Sequence, residues 1–500
     1  MIINDGTDGS DKAAFTRKYF TAIVVCIIAA VIFACFRNGI SGNDYWWHIK
    51  VGEWIYKNRQ IPKTDIFSWY GTAHSIPWTA HEWLAEVIFY GIHILFGEIG
   101  VYLFSLLANL LFMLLIVKLG AGRLFKTAIA SAVFLILFAA TSTIFFYGRP
   151  HIFSIFLLFF ELRCLYAFSD DQSSRAIWFI PLIGCLWSNL HGGSSNLSYI
   201  LCILFLCADI IGRKAKKSKM SITYIRTMSI VTALTLLSIL INPIGPGIFT
   251  YPYANMSDTF MLSIISEWAA PDAKEIGQVI TFFIPLFMVY ISLIITRKRI
   301  RLIDVALLAI FTFFFFRSVR FIIYLFTFSA FIVFDYFPET RIDPIRSKLE
   351  TIGMAVPIAL SCLCVILSVV GAAGAASRGT IVSTALDGAM IDIVKSEAPK
   401  RILNDYNLGE TLIYNDLPVF IDSRADVYAT DGLLKDAISL MDLQNVDGGA
   451  FDIDAILDKY DFDGFLILRK RPLFTYLYSH SERYDLVSQD EQAAYFTVKR

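Results

Sequence analysis

The chain has 500 residues, of which 56% are hydrophobic and 17% charged, with 43 basic residues set against 43 acidic ones. Soluble domains average about 25% charged residues, so a chain this long and this apolar belongs in a membrane. Its zero net charge is a cancellation: residues 1–377 carry 30 basic and 22 acidic side chains, and residues 378–500 carry 13 and 21. That distribution excludes a basic nucleic-acid binder. Because apolar runs continue to the end, it also excludes an acidic disordered tail.

The first apolar run, 19–36, follows Lys12, Arg17 and Lys18. Its late start and the lack of a small-residue cleavage site predict a retained anchor rather than a signal peptide. A spanning helix needs about 20 apolar residues, and such runs fall at 19–36, 99–117, 128–146, 151–168, 176–190, 197–211, 227–244, 279–296, 302–316, 319–337 and 351–374. Stretch 82–96 carries Glu82, Glu86 and His93 behind His81 and is predicted to lie at the interface. All eight cysteines sit in apolar runs without CxxC spacing, which excludes a disulfide or zinc framework.

Basic residues concentrate on cytoplasmic loops. With the N-terminus inside, the clusters Lys118/Arg123/Lys126, Arg175, Arg213 to Lys219, Arg297 to Arg301 and Arg341/Arg346/Lys348 all fall inside. The outer face then receives loop 37–98, the corners at 148–151, 189–193 and 317–320, loop 242–278 and everything after 375. Glu161 and Arg163 are placed toward the inner end of their span, as are Asp209, Asp304 and Asp335. After Arg378, strands are predicted at Thr411 to Tyr414, Val419 to Asp422, Gly464 to Leu468 and Ala493 to Val498, with a helix at Leu433 to Leu440. The expected fold is a polytopic α-helical membrane protein of about eleven transmembrane helices, with interfacial helices in the first outer loop. A membrane domain spans 1–374, and a soluble, extracytoplasmic α/β domain spans 375–500. No Gly-rich phosphate loop occurs, which argues against a nucleotide site.

The outer face holds most of the polar residues with chemical potential. Six of the nine tryptophans lie between Trp46 and Trp83, and an aromatic belt accounts for Trp54 and Trp69. It does not account for Asp44 placed directly before Tyr45, Trp46, Trp47 and His48. Neighbouring indoles desolvate an acid, and a desolvated carboxylate is a better proton acceptor. Arg149, Arg317 and Arg320 stand at outer span ends, where an arginine either snorkels to headgroups or grips a phosphate with its planar fork. His81, His151 and His191 have four readings: donating to phosphate, orienting Asp44, ligating a metal, or a structural role at a helix end. No metal ligand set is assigned, and a divalent cation is left open. Glu267 either hydrogen-bonds the sugar or acceptor or caps a helix, Asp65 is a second acid or a plain N-cap or turn residue, and Glu82 is a second acid or an ion-pair partner. Asp422-Ser423-Arg424-Ala425-Asp426 reads as a salt-bridged turn, with acceptor binding as its functional alternative.

Asp44 just past the first span, the long outer loop and the outer C-terminal domain resemble the GT-C superfamily of integral-membrane glycosyltransferases. So do Gly52-Glu-Trp, Pro62-Lys-Thr-Asp65, His81-Glu-Trp-Leu, Arg149-Pro-His151, Asn189-Leu-His191-Gly-Gly, Asn242-Pro-Ile-Gly245, Glu267-Trp268, Arg317 to Arg320 and Val419 to Asp426, which resemble bacterial members. The resemblance implies a plasma-membrane enzyme that transfers a sugar from a polyprenyl phosphate or diphosphate to a glycan, lipid or protein acceptor outside the cell. Asp44 would be its base. Trp46, Trp47, His48, Asp65, His81, Glu82, Arg149, His151, His191, Glu267, Arg317 and Arg320 would bind substrate. Where that family shows an Asp-x-Asp or Asp-Glu pair, Tyr45 and Trp46 follow the acid here. The alternatives are a glycolipid transporter or flippase, and an O-antigen-ligase-like or polymerase-like enzyme resting on Arg and His.

Overall fold

A computed structural model of the chain describes residues 44–120, 148–215, 221–337, 386–428 and 432–499, together with Ile366. The predicted spans 19–36, 128–146 and, apart from Ile366, 351–374 lie outside the described residues. The structure is mostly helical with one small sheet. Helices used below are α1 (Asp44–Asn58), α2 (Trp83–Gly120), α3 (His151–Asp170), α4 (Leu302–Arg317), α5 (Ile322–Tyr336) and α6 (Gly409–Tyr414).

Five helices among the described residues are long and apolar enough to cross a membrane: His151–Asp170, Gly192–Lys214, Ile222–Ile239, Ile276–Ile295 and Val319–Tyr336. The structure therefore supports a membrane protein, with five such helices among the described residues, where eight of the eleven predicted spans fall. Part of the shortfall has a local cause. The predicted span 176–190 is a 3₁₀ turn, Arg175–Phe179, followed by Ile180–Leu190. Pro181 lacks an N–H and favours the start of a new helix over the continuation of an old one. Likewise α2 is interrupted at Gly97 (φ 66°, ψ −161°), a conformation only glycine adopts cheaply. That break divides stretch 82–96 from the predicted span 99–117.

Two compact units emerge. The first contains the described residues of 99–252 and 262–337. Its core helix is α5, with fourteen buried residues, as expected of a helix apolar on every side. It packs on α3, α4 and Ile284–Ile295, with Phe331 stacked on Tyr166 and Phe328 tilted against Phe311. Ser318 (φ −159°, ψ 130°) ends α4, and its Oγ accepts the Arg320 N–H at 3.3 Å, turning the chain into α5. Asp304 is buried and accepts hydrogen bonds from the Tyr166 and Tyr336 hydroxyls. Glu161 corrects an expectation: it is fully buried and is the eleventh of twenty residues in α3, hence mid-helix rather than near an inner end.

The second unit contains the described residues of 44–98, 253–261 and 386–499. Strands β1 (Ile402–Asn404), β2 (Gly464–Leu468), β3 (Tyr484–Gln489) and β4 (Ala493–Val498) form a sheet of order β1-β2-β4-β3. β1 runs parallel to β2 and the other pairs are antiparallel. Two predicted strands are absent. Thr411 to Tyr414 belongs to α6, and Val419 to Asp422 is irregular chain with a single bridge from Val419 to Ser68. Short apolar runs carry no period that separates strand from buried helix. The remaining predicted elements form at Leu433–Asp442, β2 and β4.

Loop 37–98 supplies short helices, as predicted: α1 packs on α6, and Trp69–His74 is capped by the Ser68 hydroxyl. A Cβ on Gly52 in α1 would lie 2.2 Å from the Glu86 carbonyl oxygen. Gly→Ala inside a helix normally stabilises by about 1 kcal/mol. Here the sign reverses: Gly52→Ala is expected to destabilise by about 1–3 kcal/mol through overpacking, seen as a lowered thermal midpoint of the detergent-solubilised protein.

Candidate functional site

In the second unit, Asp44 opens α1 and is half-buried. The Ser423 hydroxyl donates to its Oδ1 at 2.6 Å, and the Trp47 indole N–H lies 3.5 Å from the same oxygen and 3.1 Å from Ser423 Oγ. Ser423 is itself fixed: its N–H donates to Glu410 Oε1 at 2.7 Å, and its carbonyl accepts from the Tyr406 hydroxyl at 3.1 Å. The carboxylate is thus held in one orientation by a donor 379 positions away.

Beside this chain of bonds sits a buried cation. Arg424, 2% exposed, pairs Asp422 through Nε and Nη2 at 2.8 and 2.7 Å and Asp65 through Nη2 at 2.8 Å. Its guanidinium lies over Trp78 and Phe67 at 4.6 and 4.9 Å. Asp65 also accepts from the Phe67 and Ser68 N–H groups and the Ser68 hydroxyl. The turn reading of Asp65 and the salt-bridged reading of Asp422 to Arg424 are both realised here. Trp46 and Trp47 are core residues, 3% and 7% exposed, with Trp46 against Tyr414 at 4.2 Å and Trp47 against His48 at 3.7 Å.

His48, Glu82 and Glu86 form a second buried group in this unit. His48 Nε2 is 3.9 Å from Glu82 Oε2, and its Nδ1 is 3.5 Å from Glu86 Oε1. His81 Nε2 stands 3.8 Å from Glu82 Oε1. Burial, and next the charge of Glu82, push the Glu86 carboxyl well above the usual carboxylate range. Glu410 is likewise raised, to about 8, chiefly by burial and against the Ser423 bond. A carboxyl whose folded pKa lies above its unfolded value binds more protons when folded, so its stabilising contribution is complete below about 4.5 and is lost as pH rises toward about 8. The thermal midpoint is therefore expected to fall across that window, and Glu410→Gln should flatten the fall.

In the first unit, corners distant in sequence meet. Arg149 pairs with Glu267. Arg320 Nε donates to His151 Nε2 at 2.8 Å, which requires that nitrogen to be unprotonated and the ring neutral. The His151 and His191 rings lie 4.4 Å apart. His191 Nδ1 contacts the Ser154 and Ser194 hydroxyls at 2.5 and 2.9 Å, and the Trp187 indole donates to both serines. Arg320 also lies over Trp268 at 5.4 Å, and the Ser318 hydroxyl donates to the Glu267 carbonyl at 3.0 Å. Arg149 is thus neutralised by a carboxylate. Arg320 leans on a neutral imidazole and makes no ion pair among the described residues, and Arg317 is exposed at the end of α4.

Sequence reasoning missed Ser423, Glu410 and Glu86 as site residues. Ser423 was within reach through its motif, and the four-residue spacing of Glu82 and Glu86 placed both on one helix face. Nothing marked Glu410. No protein-family model matches the chain, and no curated protein matches it.

Proposed function

We propose that the chain is a GT-C-type glycosyltransferase of the bacterial plasma membrane, with its N-terminus cytoplasmic and its second unit outside. It moves a sugar from a polyprenyl phosphate or diphosphate to a glycan, lipid or protein acceptor. The observation that carries this is Asp44, a half-buried carboxylate whose Oδ1 is fixed by the Ser423 hydroxyl. In the reaction Asp44 takes the proton of an acceptor hydroxyl, the acceptor oxygen bonds the anomeric carbon, and the bond from that carbon to the phosphate oxygen breaks. The phosphate leaves with the electron pair, and the anomeric configuration inverts. Within the first unit, Arg317 and Arg320 have no carboxylate partner among the described residues, so binding an anion fits them better than Arg149, which Glu267 neutralises.

The test is transfer itself. Full-length protein in nanodiscs, given radiolabelled polyprenyl-phosphate and polyprenyl-diphosphate sugars with a mixed acceptor pool, should release the polyprenyl phosphate or diphosphate and form an inverted glycoside. A specific observation favours one second reading: the buried mid-helix Glu161 is the kind of group a transporter uses. Movement of intact glycolipid between vesicle leaflets, lost in Glu161→Gln and with no transfer from either donor, would establish the transporter instead.

A further inference from the structure

The group formed by His48, Glu82 and Glu86 has a geometry that ion pairing alone does not explain. Glu82 and Glu86 stack one turn apart, joined by the Glu86 N–H to the Glu82 carbonyl at 3.1 Å, and His48 faces them from α1. One donor atom from each residue lies within 4.8 Å of the other two. The imidazole-to-carboxylate distances of 3.5 and 3.9 Å are too long for charge-assisted hydrogen bonds, which close to about 2.7–2.9 Å. They approach the spacing of ligands around an ion, since donors about 2.1 Å from a metal stand about 3.0–3.4 Å from one another. An independent sign comes from Glu86. It is 1% exposed, and neither of its carboxylate oxygens has a hydrogen-bond partner among the described residues. A buried carboxylate without donors is costly, and a cation is the partner that two carboxylates and an imidazole are built to receive.

We propose that His48, Glu82 and Glu86 bind one divalent transition-metal ion of the Mn²⁺ or Zn²⁺ class. The imidazole favours these ions over Mg²⁺ and Ca²⁺, while two carboxylates and no thiolate disfavour the soft ions. Such an ion would clamp α1 to α2 at the point where Gly52 lets the two backbones approach. His48 is one turn after Asp44 on the same face of α1, so the clamp would also set where that carboxylate stands. Metal binding holds or fails whether or not the chain is a transferase, because it is measured without turnover.

The test uses full-length protein in detergent, stripped with EDTA and titrated with MnCl₂ and with ZnCl₂ by calorimetry, with MgCl₂ as competitor. One ion per chain is expected, held at least about 10-fold more tightly than Mg²⁺, and the bound Mn²⁺ should show electron-spin-echo coupling to a single imidazole nitrogen. Glu86→Gln keeps the side-chain shape and is expected to weaken binding about 100-fold or more. Failure of the stripped protein to take up an ion, bound Mn²⁺ without nitrogen coupling, or undiminished binding in Glu86→Gln would each overturn the site. The first two are read on the unaltered protein and stand even if the variant does not fold.

Discussion

Asp44→Asn is expected to lower sugar transfer by about 10²–10⁴-fold, the usual contribution of a positioned general base, while the protein folds normally. Asparagine has nearly the same shape and keeps a side-chain oxygen able to accept the Ser423 hydroxyl and the Trp47 indole N–H, so the geometry around Oδ1 survives. What is lost is the basic lone pair, because an amide oxygen does not take up a proton near neutral pH. The loss should therefore appear in kcat with KM little changed, the signature of an interaction made only in the transition state. Ser423→Ala separates chemistry from orientation. It leaves the carboxylate but removes its 2.6 Å donor, and should cost activity by a smaller factor while keeping a titrating base in the pH profile. Asp44→Asn with full transfer would remove the base assignment and throw the weight onto Arg317, Arg320 and the histidines, as in a ligase-like mechanism.

Much of the first unit was legible because its signals are local. Apolar runs gave the positions of His151–Asp170, Ile222–Ile239 and Val319–Tyr336, and corner residues such as Arg149, His151, Glu267 and Arg320 stood out because charge is scarce among lipid-facing residues. Their pairing was not legible. Nothing in the sequence tells that Arg149 meets Glu267 while Arg320 meets His151, and that difference decides which arginine keeps its charge. The second unit resisted more. Trp46 and Trp47 looked like surfaces for a sugar, yet both are buried, because an indole beside a helix start serves a core as well as an interface. Thr411 to Tyr414 looked like a strand and is helix, since four apolar-rich residues carry no usable period. Ser423 as the partner of Asp44, and Glu410 as the partner of Ser423, were out of reach because Asp44 and Ser423, 379 positions apart, meet only through tertiary packing.

Arg424→Met should destabilise the second unit by about 3–5 kcal/mol, the cost of removing one partner from a buried ion cluster. The cluster as a whole need not be a net source of stability, since three charges have been taken out of water to build it. The loss arises because Asp65 and Asp422 stay behind, 2% and 0% exposed, without their cation. Two controls distinguish this cause from lost packing against Trp78 and Phe67. Arg424→Lys keeps the charge but not the planar fork that reaches both carboxylates, so it should recover only part of the stability. Adding Asp422→Asn to Arg424→Met removes one stranded charge and should be less destabilising than Arg424→Met alone, although it carries one more substitution. Unfolding followed by tryptophan fluorescence measures all three. Equal losses in the single and double variants would mean that the arginine acts through its aromatic contacts, with Asp65 satisfied by the turn around Ser68 and Asp422 by the backbone N–H at 424 and the Tyr428 hydroxyl. If the ion cluster is what holds loop 44–98 to the C-terminal chain, Arg424→Met should also weaken the contact that Ser423, its neighbour in sequence, makes with Asp44. Its loss of transfer should then exceed that of Ser423→Ala.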